Sequence, residues 1–258
     1  MFNKLSRFFR SYLLPAAALV LVLVLWEVAY HVFKIPKFII PAPSGIIVET
    51  WEWRFRLVDH TWVTLYETLG GFGLSVAVGV PLAILIVYSP FLRSAIFPLL
   101  VMAQSVPKVA IAPVLLLILG HGVSSKIIVA FLVAFFPVIV DTATGLASTP
   151  AELLDLSRLY RASPLKTFMK VRFPMALPFF FSGLKVAITL AVIGAVVGEF
   201  VGSDKGLGYI IISATSYWKA NLAFGSMILL ALMAIILFGL VSLVERFVCP
   251  WFTSEQQR

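Results

Sequence analysis

Cysteine, charge and internal repetition are all scarce in this chain. A single thiol, Cys249, stands among 258 residues. It can form no disulfide within the chain and no thiolate metal cluster. The three histidines, His31, His60 and His121, are scattered and show no metal-binding spacing. Charged residues make up 12% of the chain, against about 25% in a soluble domain. No repeat with a period of roughly 20–50 residues is visible. No cluster of His, Cys and acids stands in catalytic spacing, which counts against an enzyme embedded in the membrane. A phosphate-binding GxxxxGKS or GxxxxGKT loop is also lacking; the nearest glycine cluster, GSDKGLG at 202–208, has no Lys-Ser or Lys-Thr pair.

Hydrophobic residues, by contrast, reach 61%, and the mean hydropathy is +1.03. This is the composition of an integral membrane protein. The net charge is +8, but the cations are spread over loops. They form no Lys/Arg-aromatic surface for nucleic acid and read as determinants of membrane orientation. About 20 apolar residues cross a bilayer as a helix. Six segments qualify, near 11–33, 61–88, 95–119, 126–146, 177–201 and 221–247. The expectation is an all-α membrane protein with one domain over residues 1–258. The first apolar run is too long for a signal peptide, so it reads as a retained anchor.

The second span carries Gly70, Gly71, Gly73 and Gly79, which permit close helix packing. The third contains Pro98, Pro107, Pro113 and Lys108. Its 14 Leu, Ile, Val and Phe residues outweigh one Lys costing about 3 kcal/mol. It therefore inserts, but the prolines remove backbone donors and predict a kink or break. Broken backbone at membrane depth is tolerated only inside protein or along a wet cavity.

With the N-terminus inside, twelve Lys and Arg fall on the inner side, among them Lys4, Arg7, Arg10, Arg93, Lys185, Arg246 and Arg258. Seven fall outside: Lys34, Lys37, Arg54, Arg56, Lys126, Lys205 and Lys219. Lys108 is left in the membrane. The excess places both termini in the cytoplasm. The outer loop predicts an amphipathic helix over 43–57, with Ser44 as N-cap and Ile46, Ile47, Trp51 and Phe55 near one face. It reads as a strap between spans or as a surface that meets a partner.

One segment cannot sit in hydrocarbon. AELLDLSRLYRASPLKTFMKVRFPMALP, from Ala151 to Pro178, holds Arg158, Arg161, Lys166, Lys170 and Arg172. Each would cost about 2.5–3.5 kcal/mol at the bilayer centre. The loop over 147–176 must project into water. Glu152–Arg161 predicts one helix. Ser163 is then a favourable N-cap, with Pro164 at the first helical position of a second helix that runs to Arg172. Leu165, Phe168 and Met169 form an apolar ridge on that second helix.

These residues resemble the cytoplasmic coupling loop of the membrane subunits of bacterial ATP-binding-cassette importers. Asp155 stands at the family's acidic position, Ser157 at its small position, Ala162-Ser163 at its turn and Ala176-Leu177-Pro178 at its end. GLKVAITLAVIGAVVGEFVGSDKGLGYII, IPAPS at 40–44 and PKVAIAP at 107–113 are similar to the sulfonate, taurine, nitrate and vitamin-precursor (pyrimidine, riboflavin) branch. The likeness covers nearly the whole chain. One position departs: Arg161 stands where the family has Gly, whose freedom would serve a turn with φ > 0.

The resemblance implies the type I importer permease fold with a coupling helix. It implies two membrane subunits, a homodimer here, and two cytosolic ATPase subunits that carry ATP and Mg. An extracytoplasmic binding protein would deliver a small organic anion or a heteroaromatic solute. No cofactor is expected in this chain. The location implied is the bacterial cytoplasmic membrane. Coupling to the ATPase is expected of Asp155, Ser157, Arg158, Arg161, Ala162, Ser163, Pro164, Leu165, Phe168 and Met169.

Ionisable groups within spans are functional candidates by default. Gln104, Ser105, Lys108, Asp141 and Glu199 are the candidates for a substrate path. Glu199 reads either as a path or gating residue or as a structural cap beside the Gly202–Gly208 turn. Lys108 reads either as a path residue or as a cation paired with an acid or snorkelling to the interface. Glu27 and Glu67 read as polar contacts between helices. An ion-driven secondary carrier is the alternative function, but such carriers usually show more spans and inverted repeats.

Overall fold

The computed structural model describes residues 13–251, and every regular element in it is helical. Lys4, Arg7, Arg10, Arg258 and the start of the first expected span lie outside the described residues. The helices are α1 (Leu14–Val32), α2 (Pro43–Glu52), α3 (Arg54–Tyr88), α4 (Pro90–Ala95), α5 (Phe97–Gln104) and α6 (Lys108–Leu119). They continue with α7 (Val123–Ala147), α8 (Ala151–Leu159), α9 (Pro164–Thr167) and a π-helical turn at Phe168–Arg172. The last three are α10 (Phe173–Gly202), α11 (Leu207–Ser216) and α12 (Ala220–Val248).

Among the described residues, five helical stretches are long and apolar enough to cross a membrane, and there are six if the pair Pro90–Gln104 and Lys108–Leu119, bent by 96°, counts as one span. The bend falls at 105–107, where Pro107 ends one set of backbone bonds and α6 begins at Lys108. Pro81, Pro113, Pro137 and Pro178 lie inside helices without ending them.

Contacts group into two compact units. One holds the residues up to Asp59 together with Ile210–Leu229. Here Ser44 is not the N-cap of α2. Ala42 takes that position, Pro43 follows, and the Glu27 carboxylate does the capping from α1. It accepts the Ser44 N–H at 3.0 Å and the Ser44 hydroxyl at 2.7 Å, while His31 Nε2 lies 3.1 Å away. A carboxylate at a helix N-terminus satisfies an orphan donor and opposes the dipole. Helix α2 also stops at Glu52, and 54–57 open α3 instead. Ile46 is buried, whereas Ile47, Trp51 and Phe55 are exposed, so the four residues do not share one packed face. Asn221 Nδ2 donates to Glu49 at 3.2 Å, and Trp218 meets Phe38 edge-on at 5.6 Å.

The other unit holds residues 60–209 and 230 onward. Its most extensive packing is α7 against α10. Ala134, Val138, Leu177, Phe181, Leu184, Ala187 and Ala191 form the centre. Small residues bring three helices together at Ala130, which meets Gly71 of α3 and Gly194 of α10 with no room for a Cβ on either. Gly73, in contrast, faces open space. Between α10 and α12, Lys185 Nζ pairs with Glu245 at 2.9 Å. Helix α11 is an apolar run of ten residues, too short to read as a span from sequence.

Candidate functional site

The basic loop folds as a finger of two helices. Helix α8 ends at Leu159, two residues before the expected end, and its exit is a Schellman motif. The Ala162 N–H donates to Ser157 C=O at 2.9 Å, and the Arg161 N–H donates to Arg158 C=O at 2.9 Å. Arg161, the first of the two residues past the end of the helix, has φ +48°. This is the left-handed conformation that Gly adopts freely and that costs other residues roughly 1–2 kcal/mol. Ser163 caps α9, its hydroxyl accepting the Lys166 N–H at 3.4 Å, with Pro164 at the first helical position.

The second helix does not stop at Arg172. It passes through the π-turn at Phe168–Arg172 directly into α10. The Phe173 N–H reaches back five residues to Phe168 C=O. A wider turn relieves the conflict between a proline ring and the carbonyl four residues earlier, so Pro174 opens α10 without breaking it.

The Thr167 hydroxyl lies 3.3 Å from that of Ser157, and the Ser157 hydroxyl donates to Leu154 C=O at 2.7 Å. These bonds tie the two helices together. Asp155 and Arg158 pair at 2.8 Å on the exposed face, a contact worth about 0.2–1 kcal/mol. Of the exposed large apolar side chains on the finger, the four most open are Leu159 (81% exposed), Tyr160 (80%), Leu165 (71%) and Met169 (58%). Phe168 is not part of this ridge. It is half-buried, with its ring 6.0 Å from Tyr88 and 5.8 Å from Phe173.

The intramembrane candidates separate into three places. Gln104, Ser105 and Lys108 come together at the 96° break. Lys108 Nζ donates to Gln104 C=O at 3.2 Å and stands 4.5 Å from the Phe136 ring centroid. It has no carboxylate partner among the described residues. Beside it lies a cavity of about 190 Å³ whose other walls are apolar, among them Val106, Ile111, Leu132 and Phe136. Asp141 stands elsewhere, half-buried on α7 beside Gly183.

Glu199 lies in the third place, 1% exposed at the end of α10. Its Oε1 accepts the Thr64 hydroxyl at 2.6 Å, and its Oε2 accepts the Gly208 N–H at 2.5 Å. Thr64 Oγ1 accepts the Leu207 N–H at 2.8 Å, and His60 Nδ1 accepts the Gly206 N–H at 2.9 Å. Lys126, counted above among the loop cations, is buried at the start of α7. Its Nζ is 2.6 Å from Ser203 Oγ and 3.7 Å from Glu67 Oε1. This network ties α3, α7 and α10 to the 203–208 turn. A Cβ on Gly206 or Gly208 would collide with the Glu199 carboxyl, and Gly206 also has φ +105°. The geometry is that of a cap, with no oxygen of Glu199 free toward solvent.

Sequence reasoning missed Thr64, Lys126 and Ser203 as members of this network. The two glycines flanking Leu207 were the available signal, since they mark a place where backbone must approach a buried group.

Residues 75–253 match the family described as the inner membrane component of binding-protein-dependent transport systems. The chain is 34% identical over 254 residues to the riboflavin transport system permease protein RibX of Chloroflexus aurantiacus, covering 98% of this chain and 95% of that one. It is 33% identical over 245 residues to the formylaminopyrimidine transport permease protein ThiX of Halalkalibacterium halodurans, covering 94% and 98%. Its fold is similar to that of the MetNI methionine ABC transporter in inward-facing conformations, with a TM-score of 0.66 at 22% identity over 76% of this chain and 98% of that one.

Proposed function

Because the chain belongs to the family of binding-protein-dependent inner membrane transport components, and is the multi-pass permease subunit of an ABC importer, we propose how it is coupled to ATP. The finger at 151–172 docks on a cytosolic ATPase subunit. Two copies of this chain pair, each engaging one of two ATPase subunits that bind ATP and Mg. A binding protein delivers solute to the opposite face.

The observation that carries this reading is the set of open apolar side chains, four of them more than half exposed, on a segment that hydrocarbon rejects. Leu159, Tyr160, Leu165 and Met169 stand among five cations, so they must sit in water and be covered by protein. Orientation agrees. Lys126 and Lys185 are both bound within the helix packing, which leaves eleven cations on the finger side against six on the other. The finger and both termini are then cytoplasmic.

The translocation path runs along the break in the third span, where Gln104, Ser105 and Lys108 meet. A lone ammonium beside an aromatic ring in an apolar cavity suits a small heteroaromatic solute or organic anion. The riboflavin and formylaminopyrimidine relatives support the heteroaromatic choice.

Co-purification tests the docking. The double variant Leu165→Asp/Met169→Asp should still insert and pair but lose the ATPase subunit. Recovery of the ATPase at the normal ratio would overturn the assignment of 151–172 as the docking element.

A further inference from the structure

We propose that Tyr88 is the positioning residue through which the finger moves the second and third spans. This rests on the finger being the docking element. Among the described residues, every side-chain hydrogen bond and ion pair of 151–167 stays within the finger. Apart from Phe173, where the same helix continues as α10, the ring contacts of 168–172 reach one residue, Tyr88. The Phe168 ring meets its edge at 6.0 Å and 65°, and the Arg172 guanidinium lies over it at 5.1 Å. Both ends of the π-helical turn therefore clasp a single ring.

Tyr88 is placed to pass a displacement on. It is the last residue of α3, and Ser89 directly after it caps α4, its hydroxyl accepting the Leu92 N–H at 3.3 Å. Helix α4 begins the broken span that carries Gln104 and Ser105. A push on the Tyr88 ring thus acts where the second span ends and the third begins.

The surroundings leave room for the movement. Tyr88, Leu154, Ser157, Arg158 and Thr167 line an open cavity of about 220 Å³ between the finger and the end of α3. Phe168 also lines an apolar cavity of about 220 Å³ with Val80, Ile84 and Leu146. A π-turn is a frequent companion of functional sites in helices. Here it sits at the base of the finger, with rings as its pivot and space on either side.

The experiment uses the whole importer in proteoliposomes, with Tyr88→Ala, Tyr88→Leu and Tyr88→Phe. Hydrolysis and uptake are measured with and without the binding protein. The ring makes both contacts and the phenol hydroxyl neither of them, so Tyr88→Phe should keep solute moved per ATP near the parent value. Tyr88→Ala and Tyr88→Leu lose the ring and should lower that ratio about tenfold, while the ATPase still co-purifies and hydrolyses ATP. An unchanged ratio in Tyr88→Leu would overturn the proposal. So would a Tyr88→Phe defect equal to that of Tyr88→Leu, or loss of the ATPase from the Tyr88→Leu complex. Failure of the docking reading shows separately, as normal ATPase recovery with Leu165→Asp/Met169→Asp.

Discussion

Glu199 Oε2 accepts the Gly208 backbone N–H at 2.5 Å, so a side chain at the end of α10 holds the turn that follows it. The opposite oxygen is held by Thr64 at 2.6 Å. One carboxylate thereby joins the second span, the fifth span and the 203–208 turn. In a charge-assisted arrangement such bonds are about twice as strong as neutral ones.

Glu199→Gln retains one acceptor but turns an amide donor toward either Thr64 or the Gly208 N–H. A buried donor without a partner costs about 1–3 kcal/mol. The melting temperature of the detergent-purified complex should fall, and uptake should fall with it, while the ATPase still co-purifies. Uptake equal to that of the parent would show that the cap is dispensable.

Lys126 is the only cation within 4.0 Å of Glu67 among the described residues, and both are buried. Removing one member of a buried pair costs about 3–5 kcal/mol, because the other charge is left without compensation. Lys126→Met should therefore reduce the yield of folded protein sharply. Adding Glu67→Gln should recover much of the loss. A double variant as unstable as Lys126→Met alone would refute the pairing.

Arg161 holds the left-handed position of the Schellman motif at φ +48°. Arg161→Gly removes a strain of roughly 1 kcal/mol. Hydrogen exchange at the Ala162 amide should slow, since its bond to Ser157 C=O closes the motif. Faster exchange would mean that the arginine side chain holds the turn by a contact of its own.

Lys108 is proposed to meet the negative group of the solute in an otherwise apolar cavity. Lys108→Gln keeps a polar tip but loses the charge. A hydrogen bond to a charged group contributes about 1.5–3 kcal/mol, so the half-saturation concentration for an anionic solute should rise about tenfold. A neutral solute of the same shape should be moved equally by both proteins. Equal loss for both would assign Lys108 to helix packing.

Much of this protein is legible in one dimension. Apolar length marks spans, since hydrocarbon thickness sets a minimum run. Proline marks the broken third span, since it lacks a donor. Five cations between spans mark the finger, since they cannot enter lipid. Ser163-Pro164 marks the start of its second helix, since capping depends on immediate neighbours. Even the strain at Arg161 is readable, because the conformation demanded there belongs to the backbone.

What depended on tertiary structure is which distant groups meet. The sequence alone left Glu199 open between path and cap, because its partners Thr64 and Gly208 lie 135 and 9 positions away. Lys126 read as a loop cation until the packing of α7 buried it beside Glu67. Phe168 read as part of the docking ridge until Tyr88, 80 positions earlier in the chain, was found packed against it. Ser44 lost its capping role to Glu27, on another helix. Local chemistry determined where this chain bends, spans and projects; the association of helices decided which of its polar and aromatic groups face one another.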